Sequence, residues 1–337
     1  MKAYIKGIST YVPRQIEYND AESRITKKTG IYERHIAAPD ECSSDMAVSA
    51  AENLFSDYGI DRSKIDFIIL CTQSPDYFLP TTACLLQHRL GISRNCGAFD
   101  LNLGCSGYIF GLSVAKGLLE TGQAKHVLLL TAETYSKWTH PEDAAARAIF
   151  GDAATATLLE AEDTAQDGLS AFVFGTDGSG GPDIIVPVGG MREPGGATAE
   201  IETVDSAGNK RTNYNLYMNG RAVISFAQDV VPKMLKKVLE AAGLKREDVD
   251  YYVFHQANRF MLESIQHKCK LNDLPFWNKP DQYGNTVSST IPLALAEILQ
   301  SVDATSLKKV VSIGFGVGLS WAGCVMDLSR SWKKATK

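Results

Sequence analysis

The sequence predicts an α/β protein built from two related halves. Its 337 residues exceed the usual size of one domain, so two domains or one large duplicated domain are expected. Short, wholly apolar runs alternate with longer amphipathic segments of helical length; the runs are residues 67–70, 127–130, 251–254 and 310–313. Strands that are apolar on both faces are typical of a sheet covered by helices on each side. We therefore predict a layered α/β architecture.

An internal repeat supports this architecture. Residues 59–70 align with residues 243–254, which lie 184 positions later, and both segments show a helix ending at glycine, a charged turn and a buried strand. Residues 125–129 align with residues 309–313 at the same offset of 184. Two separate segments with one offset indicate a duplicated fold, and chance similarity between common αβ patterns is the alternative.

The two halves are predicted to cover residues 1–170 and 216–337, with a glycine-rich excursion over residues 171–215 between them. The excursion includes Gly-Thr-Asp-Gly-Ser-Gly-Gly-Pro, which begins at Gly175. Because no Gly-Lys-Ser/Thr follows these glycines, a phosphate-binding loop is not expected. A loop at the surface or at a dimer interface is the prediction.

Composition and charge exclude several classes of function. The chain has 34 Lys and Arg against 39 Asp and Glu, a net charge of -5 and no long basic run, which argues against a nucleic-acid partner. It shows neither a leader-like apolar stretch nor an apolar run of membrane-spanning length, so a cytoplasmic protein without a membrane span is expected. The seven cysteines are scattered without a CxxC pair, which favours reduced thiols over a disulfide framework or a zinc site.

Cys105 is the candidate nucleophile. It lies in Leu-Gly-Cys-Ser-Gly, directly before a helical pattern that ends near Gly122. Unpaired N–H groups and the positive end of the helix dipole stabilise a thiolate at such a turn, so a lowered thiol pKa is expected. A structural cysteine is the plainer alternative. A serine hydrolase elbow is disfavoured, because Tyr108 stands where G-x-S-x-G requires glycine.

Two further polar residues are candidates for the same site. His255 ends a predicted buried strand, and the carboxyl ends of strands in α/β proteins collect ligands and catalytic groups. In the repeat register His255 is equivalent to Cys71. Asn285 stands in Tyr-Gly-Asn-Thr, shortly before a predicted helix. Taken singly, each residue also fits a structural role, as a buried histidine or a turn asparagine.

Together these motifs resemble β-ketoacyl-acyl-carrier-protein synthase III, one of the thiolase-like condensing enzymes. The resemblance rests on Leu-Gly-Cys-Ser-Gly, His-Gln-Ala-Asn, Tyr-Gly-Asn-Thr and the terminal Gly-Phe-Gly-Val-Gly-Leu-Ser-Trp, which occur in the family's order and at its separations. It covers nearly the whole chain. It implies a duplicated five-layer α/β/α/β/α thiolase-like fold in a homodimer.

The resemblance also implies an activity and a role for each candidate. Cys105 would accept an acyl group from acyl-CoA or an acyl-carrier donor. His255 and Asn285 would hold the thioester carbonyl of malonyl-acyl-carrier-protein while it loses CO₂. Backbone N–H groups of Cys105 and Val317 would bind the oxyanion, and Phe315 would shield the carbanion from water. The product would be a β-ketoacyl-acyl-carrier-protein, as in the initiation of fatty-acid synthesis, with no cofactor and no metal.

Substrate contacts are expected, by the same resemblance, at Asn258, Arg259, Leu79 and Gly220. Leu79 stands where many members have a phenylalanine that reaches the partner's acyl tunnel. Arg259 is the candidate for a basic contact with the carrier protein, since Ser225 replaces a lysine of the usual pattern. A smaller side chain at position 79 would admit a longer or branched starter group.

The chain departs from the family pattern near the expected coenzyme A site. The segment before Thr29 is short and lacks the tryptophan that would stack on adenine, and Ala144 replaces an arginine, although Arg147 is close by. The donor is therefore left open between acyl-CoA and a carrier protein. Three alternatives to fatty-acid initiation also stay open: a paralogue with a non-acetyl starter in a specialised or surface-glycan pathway, acyl transfer to oxygen or nitrogen without condensation, and a non-catalytic acyl-binding subunit.

Overall fold

The computed structural model describes residues 1–334. Its strands are β1 (Lys2–Tyr11), β2 (Gln15–Tyr18), β3 (Glu33–Ile36), β4 (Phe67–Cys71), β5 (Gly97–Leu101), β6 (His126–Glu133), β7 (Ala153–Glu162), β8 (Leu169–Thr176), β9 (Ile184–Ile185), β10 (Thr203–Val204), β11 (Lys210–Arg211), β12 (Tyr217–Met218), β13 (Tyr251–Phe254), β14 (Val310–Gly316) and β15 (Ser320–Met326). Its α-helices are α1 (Arg24–Thr29), α2 (Ser43–Tyr58), α3 (Thr82–Arg89), α4 (Gly107–Glu120), α5 (Ala144–Arg147), α6 (Gly220–Ala242), α7 (Arg259–Cys269) and α8 (Thr290–Ser301).

Two mixed sheets form the framework of the molecule. The first has the strand order β1-β7-β6-β4-β5, and the second has the order β13-β14-β15-β8. In each sheet the predicted apolar runs form adjacent parallel strands, β4 with β6 and β13 with β14. Nearly every side chain of these four strands is buried, as expected for strands covered on both faces.

Three apolar cores stack the sheets and helices into five layers. Helices α2 and α3 cover one face of the first sheet, through a core that includes Leu54. Helices α4 and α8 lie between the two sheets, and their core includes Leu112 and Leu295. Helices α6 and α7 cover the far face of the second sheet, with Val231 and Leu262 in the core. This α/β/α/β/α order confirms the predicted fold class.

The duplication predicted from the sequence is present in the structure. Helices α2 and α6 end at Gly59 and Gly243, which adopt left-handed conformations with φ of 63° and 65°. A short 3-10 helix follows each glycine, over Arg62–Lys64 and Arg246–Asp248, and leads into β4 or β13. The equivalent elements are thus 184 positions apart, and the four strands of the second sheet, β8-β15-β14-β13, follow the order of β1-β7-β6-β4 in the first.

The boundary between the halves differs from the prediction. The glycine content predicts a loop from residue 171, but residues 169–176 form β8, which pairs with β15 at the edge of the second sheet. A Cβ at Gly175 would come within 2.1 Å of the Trp321 ring, so the glycine permits close packing within a strand. The excursion therefore begins at Asp177, and it contains 3-10 turns and the short strands β9 to β12.

Three further properties of the described residues bear on function. None of the helices within residues 1–334 is both long and apolar enough to cross a bilayer. The same residues contain no group of three or more His, Cys, Asp or Glu side chains that could hold a metal ion. All seven cysteines are free thiols, and Cys105 is among those that are buried.

Candidate active site

One cavity brings together side chains from both halves. It has a volume of about 100 Å³ and lies where the start of α4 meets the carboxyl end of β13. Its walls are formed by Cys105, Tyr135, Ile149, Phe150, Ile184, Met218, Gly220, Val223, Ile224, His255, Ala257, Asn258, Met261, Asn285, Phe315, Gly316 and Val317. All three catalytic candidates meet here, although they come from distant parts of the chain. The remaining walls are mainly aliphatic and aromatic.

Cys105 occupies the turn between β5 and α4, and two glycines allow strand β14 to approach it. A Cβ at Gly316 would lie 2.8 Å from Cys105 Sγ, and a Cβ at Gly314 would lie 2.6 Å from the Cys105 carbonyl oxygen. A hydrogen bond of 2.7 Å between Ser106 Oγ and Ser320 Oγ also ties the turn to β15. The glycine-rich segment near the end of the chain is therefore required by packing against the nucleophile turn.

The surroundings of Cys105 raise its thiol pKa. Burial and the nearby Glu133 carboxyl raise the pKa to about 12, and they outweigh the backbone N–H groups of Val317 and Cys105, which lower it. The lowered pKa predicted from the helix N-terminus is therefore wrong, and the thiol is protonated at neutral pH. The two N–H groups that face the sulfur are the same two expected to bind the oxyanion.

His255 follows the last residue of β13 and is held as a neutral imidazole. Burial lowers the pKa of His255 to about 3. Its Nδ1 lies 2.7 Å from Thr290 Oγ1, and this hydroxyl can donate either to Nδ1 or to the carbonyl oxygen of Val287, from which it lies 3.0 Å. A hydroxyl has a single hydrogen to donate. When Thr290 donates it to Nδ1, Nε2 carries the ring hydrogen and is a donor toward the cavity.

Asn285 is positioned by contacts with both halves. Its backbone N–H donates to the Ile149 carbonyl oxygen at 2.9 Å, and its carbonyl oxygen accepts from Gly151 N at 3.1 Å. Its side-chain Oδ1 accepts from Val287 N at 2.9 Å. The amide oxygen is thus occupied, which leaves the Nδ2 hydrogens as the side-chain donors at the cavity wall.

Phe315 and Val317 lie on the side of the cavity formed by β14 and the turn after it. The Phe315 ring packs edge-on against the His255 ring, with centroids 5.5 Å apart and an interplanar angle of 84°. Phe315 is buried, with 2% of its surface exposed. It therefore excludes water from one side of His255, and Val317 presents its N–H to Cys105.

The four predicted substrate contacts lie in different places. Gly220 and Asn258 line the cavity, and Asn258 also caps α7, because its Oδ1 accepts from Met261 N at 2.9 Å. Arg259 lies outside the cavity wall, with its guanidinium 5.9 Å from the Tyr32 ring centroid. Leu79 is not among the residues that line the cavity of its own chain; it lies on a surface loop and is 83% exposed.

An ion-pair cluster lies beside the cavity, next to Phe150. Glu17 accepts from Arg147 at 2.7 Å and 3.1 Å, and from Arg34 at 3.1 Å. The Arg147 guanidinium holds the pKa of Glu17 below its usual value. Arg34, which is buried, also donates to the Phe150 carbonyl oxygen at 3.4 Å. Arg147, the arginine near the position where the family pattern has one, is therefore already engaged by Glu17.

Two residues of the site have no counterpart among the sequence predictions. Thr290 contacts His255, and Glu133 lies fully buried near Cys105. The sequence does contain a signal for Glu133, because a glutamate at the end of the apolar run of β6 is unusual and a buried glutamate ordinarily has a specific partner or role. Thr290 gave no signal, since a threonine at the start of a helix is ordinary.

Comparison with known proteins agrees with this geometry. The family model described as 3-oxoacyl-[acyl-carrier-protein (ACP)] synthase III matches residues 99–178, and the model of its C-terminal part matches residues 239–328. A relative from Halalkalibacterium halodurans, named beta-ketoacyl-[acyl-carrier-protein] synthase III 2, is 37% identical over 336 residues, which are 96% of each chain.

Solved structures give the same result. A crystal structure of a 3-oxoacyl-(acyl-carrier-protein) synthase III is 48% identical with a TM-score of 0.93, and the match covers 97% of this chain and 100% of that one. A 3-oxoacyl-(acyl-carrier protein) synthase from Burkholderia xenovorans is 34% identical with a TM-score of 0.88, over 98% of this chain and 95% of that one. The fold and the cavity are those of a thiolase-like condensing enzyme. The chain belongs to the β-ketoacyl-acyl-carrier-protein synthase III family.

Proposed function

We propose that this enzyme condenses a Cys105-bound acyl group with malonyl-acyl-carrier-protein, with loss of CO₂, to form a β-ketoacyl-acyl-carrier-protein. The convergence of Cys105, His255 and Asn285 on one small cavity carries the proposal. A thiol nucleophile alone would suit many acyl transfers. Two neutral donors opposite it suit a reaction in which negative charge develops on a carbonyl oxygen.

In the first step Cys105 Sγ attacks the thioester carbonyl of the acyl donor. The bond between the acyl carbon and the donor sulfur breaks, and the thiol proton passes to the departing thiolate. The N–H groups of Cys105 and Val317 bind the oxyanion of the tetrahedral intermediate. Because the buried thiol is protonated at neutral pH, loss of its proton accompanies attack on the bound donor.

In the second step His255 and Asn285 bind the malonyl thioester carbonyl oxygen. The bond to the carboxylate breaks, CO₂ leaves, and its electron pair forms an enolate that the two donors stabilise. The enolate carbon attacks the acyl-Cys105 carbonyl, and the Cys105 thiolate departs and takes up a proton. Phe315 limits access of water to the carbanion. With one proton taken from solvent to restore the Cys105 thiol, these steps balance on the two thioester substrates, so no cofactor and no metal are invoked.

The starter is proposed to be a short, apolar acyl group. The cavity of about 100 Å³ is small, and Ile184, Val223 and Ile224 make much of its wall aliphatic. The donor would enter as a thioester on a phosphopantetheine arm, which coenzyme A and carrier proteins share. Engagement of Arg147 by Glu17 favours a carrier-borne donor over the nucleotide of coenzyme A.

The enzyme is proposed to work as a homodimer. Strand β5 forms an edge of the first sheet, and all five of its residues are only partly buried. Phe78 and Leu79 project from the loop before α3, with 86% and 83% of their surface exposed. Exposed apolar residues beside an open sheet edge indicate pairing with a second chain. In such a dimer, Leu79 would reach the partner's acyl cavity.

A surface patch formed by Lys28, Tyr32, Arg259 and Phe260 is proposed to contact the acyl carrier protein. Lys28 Nζ lies 4.4 Å from the Phe260 ring centroid, and Arg259 lies over Tyr32. These aromatic contacts hold both cations at the surface near the start of α7. The Arg259→Glu variant should raise the KM for malonyl-acyl-carrier-protein with little change in acylation from a small acyl-CoA. A cytoplasmic location is proposed as well, because the reaction needs a reduced Cys105.

Intact-mass spectrometry of Cys105 acylation tests the proposed function. The protein is incubated with short straight and branched acyl-CoA donors and with the matching acyl-carrier donors, and the acylated protein is then given malonyl-acyl-carrier-protein while CO₂ is measured. Loss of the acyl mass together with CO₂ release and β-ketoacyl product supports condensation. Loss of the acyl mass to an alcohol or amine acceptor without CO₂ release would assign simple acyl transfer, and failure of every donor to label Cys105 would indicate a non-catalytic subunit.

A further inference from the structure

Glu133 is a buried carboxyl that the proposed chemical steps do not use. It is the last residue of β6, and none of its surface is exposed. Its Oε2 accepts from Gln73 N at 3.0 Å and Ser74 Oγ at 3.2 Å, and its Oε1 accepts from Ser288 Oγ at 2.7 Å. Within residues 1–334 no Lys or Arg forms an ion pair with it. Burying a carboxyl without a cationic partner costs folding free energy, so its retention here calls for a functional explanation.

Ser288 belongs to the turn that sets the direction of Asn285. It lies in the 3-10 helix Val287–Ser289, which connects Asn285 to α8. Val287 has a φ of 55°, a strained conformation for a β-branched residue. The N–H of Val287 is the donor to Asn285 Oδ1, at 2.9 Å. The strained turn therefore determines which way the Asn285 amide points.

The turn is held mainly from the other half of the molecule. Ser288 contacts Glu133, while Ser289 Oγ lies 2.8 Å from Thr131 Oγ1 on the same strand, β6. Ser289 Oγ also donates to the Ala153 carbonyl oxygen at 3.2 Å. The strain at Val287 persists only while such contacts oppose relaxation of the backbone. Of these contacts, the one with Glu133 is made by a titratable group.

We propose that Glu133 is a positioning residue for condensation: through Ser288 it holds the strained turn at Val287 and so fixes the Asn285 amide at the cavity. The inference rests on the proposed function, because it takes Asn285 to be a donor to the malonyl carbonyl oxygen. Acylation of Cys105 does not use Asn285. Loss of the Glu133 contact should therefore impair condensation selectively.

The protonation state of Glu133 suits this role. Burial raises its pKa to about 8, so the carboxyl is neutral at neutral pH. Ser288 Oγ donates to Oε1 of the carboxylate. When Glu133 is neutral, the contact persists with its direction reversed, because the carboxyl donates its hydrogen to Ser288 Oγ through Oε1 while Oε2 still accepts from Gln73 N and Ser74 Oγ. A neutral group also avoids placing a negative charge near the enolate.

The titratable groups around Glu133 are the thiols of Cys71 and Cys105, the phenol of Tyr135 and the carboxyl of Asp152. Glu133 contributes to raising the pKa values of both thiols and of the phenol, while Asp152 raises the pKa of Glu133. Above a pH of about 8, ionised Glu133 should disfavour the new charge on the enolate. The condensation rate is therefore expected to decline on the alkaline side.

Three variants and one control test the proposal. Glu133→Ala and Ser288→Ala each remove the contact, whereas Glu133→Gln keeps a donor for Ser288 and an acceptor for Gln73 N but cannot ionise. The control is Glu160→Gln, which changes a half-buried glutamate that has a raised pKa and a different partner, His126. For each protein, acylation of Cys105 and condensation with malonyl-acyl-carrier-protein are measured separately, at several pH values.

We expect Ser288→Ala and Glu133→Ala to lower condensation by about 10-fold or more, up to the about 10²- to 10³-fold loss typical of removing a donor. Acylation should stay near the wild-type rate. Glu133→Gln should condense normally at neutral pH and should lack the alkaline decline. Combining Glu133→Ala with Ser288→Ala should add little, because both act through one contact.

Several results would overturn the inference. Wild-type condensation by Ser288→Ala would show that the contact does not orient Asn285. Equal losses of acylation and condensation, or loss of condensation by Glu133→Gln with Ser288→Ala unaffected, would assign Glu133 to folding or to another role. If Glu133→Ala does not fold, Ser288→Ala and Glu133→Gln decide the question. Absence of product with the wild-type enzyme would instead refute the proposed function.

Discussion

The two halves of the molecule place different residues at equivalent positions. In each of two such pairs, only one member lines the cavity. At the start of the central helix, the offset of 184 pairs Cys105 with Ser289. At the end of the central parallel strand, it pairs Cys71 with His255. Cys105 and His255 line the cavity, whereas Cys71 and Ser289 do not. The duplication thus supplied two equivalent frameworks. Of these two pairs of positions, only one helix start and one strand end contribute a side chain to the cavity.

Cys71 and Ser289, the two positions that do not line the cavity, are tightly packed against neighbouring residues. Cys71 Sγ donates to the Leu103 carbonyl oxygen at 3.0 Å, and a Cβ at Gly107 would lie 2.2 Å from this sulfur. Ser289 has no exposed surface, and its hydroxyl is engaged with Thr131 and the Ala153 carbonyl oxygen. Burial raises the pKa of Cys71 well above its usual value. The residue in each equivalent pair that is available for reaction is therefore the one whose side chain lines the cavity.

Replacing the two thiols separately should produce the largest difference. Cys105→Ala should abolish covalent acylation, because Cys105 is the one thiol among the described residues that line the cavity. Cys71→Ala should still be acylated and should condense, with some loss of stability from a small buried cavity. Intact-mass labelling together with thermal unfolding measures both effects. Acylation of Cys105→Ala at wild-type rate, or its loss in Cys71→Ala, would reverse the assignment of the two positions.

Replacing the two donors should affect only the second step. His255→Ala and Asn285→Ala should each lower condensation by about 10²- to 10³-fold, because each removes one donor to the enolate oxygen. Acylation should remain measurable by mass for both variants. Since burial lowers the pKa of His255 to about 3, the ring stays neutral, and mildly acidic pH should not reduce condensation by protonating it. A loss confined to acylation would contradict the proposed roles.

The same comparison explains how much of the site could be predicted from the sequence. Local patterns make Cys105 and His255 candidates, because a helix start and a strand end are recognisable in a sequence, but each residue alone also fits a structural role, and their chemical roles follow from the family resemblance. The roles of Glu133 and Thr290 depend on contacts between distant segments, which no local pattern contains. The sequence predicts a lowered pKa for Cys105 for a related reason. The start of a helix can be recognised in the sequence, but the burial that raises the pKa of the thiol cannot. The sequence predicts a loop at Gly175 because the residue that packs against this glycine, Trp321, is distant in the chain.

Thr290 contacts His255 at the strand end that is proposed to be catalytic. Its hydroxyl lies 2.7 Å from His255 Nδ1, and donation to Nδ1 leaves the ring hydrogen on Nε2. Thr290→Val keeps the shape but removes this donor, and condensation should fall by about 10-fold or more, within the loss expected for a donor. Thr290→Ser should retain most activity. Nitrogen NMR of the His255 ring reports the tautomer directly, and an unchanged tautomer in Thr290→Val would contradict this role.

The smallest change in activity is expected for a substitution in the ion-pair cluster beside the cavity, where the two halves also differ. The first half contributes Arg34 and Arg147, both engaged by Glu17, whereas the second contributes Arg259, which stacks on an aromatic ring. Glu17→Gln weakens the hold on Arg147 and frees positive charge for an anionic donor, so kcat/KM for acyl-CoA acylation should rise a few-fold. The rate with an acyl-carrier donor should change less. Because exposed charges are screened by salt, the gain should shrink at high ionic strength, and a gain that is equal for both donors would show that the cluster does not distinguish them.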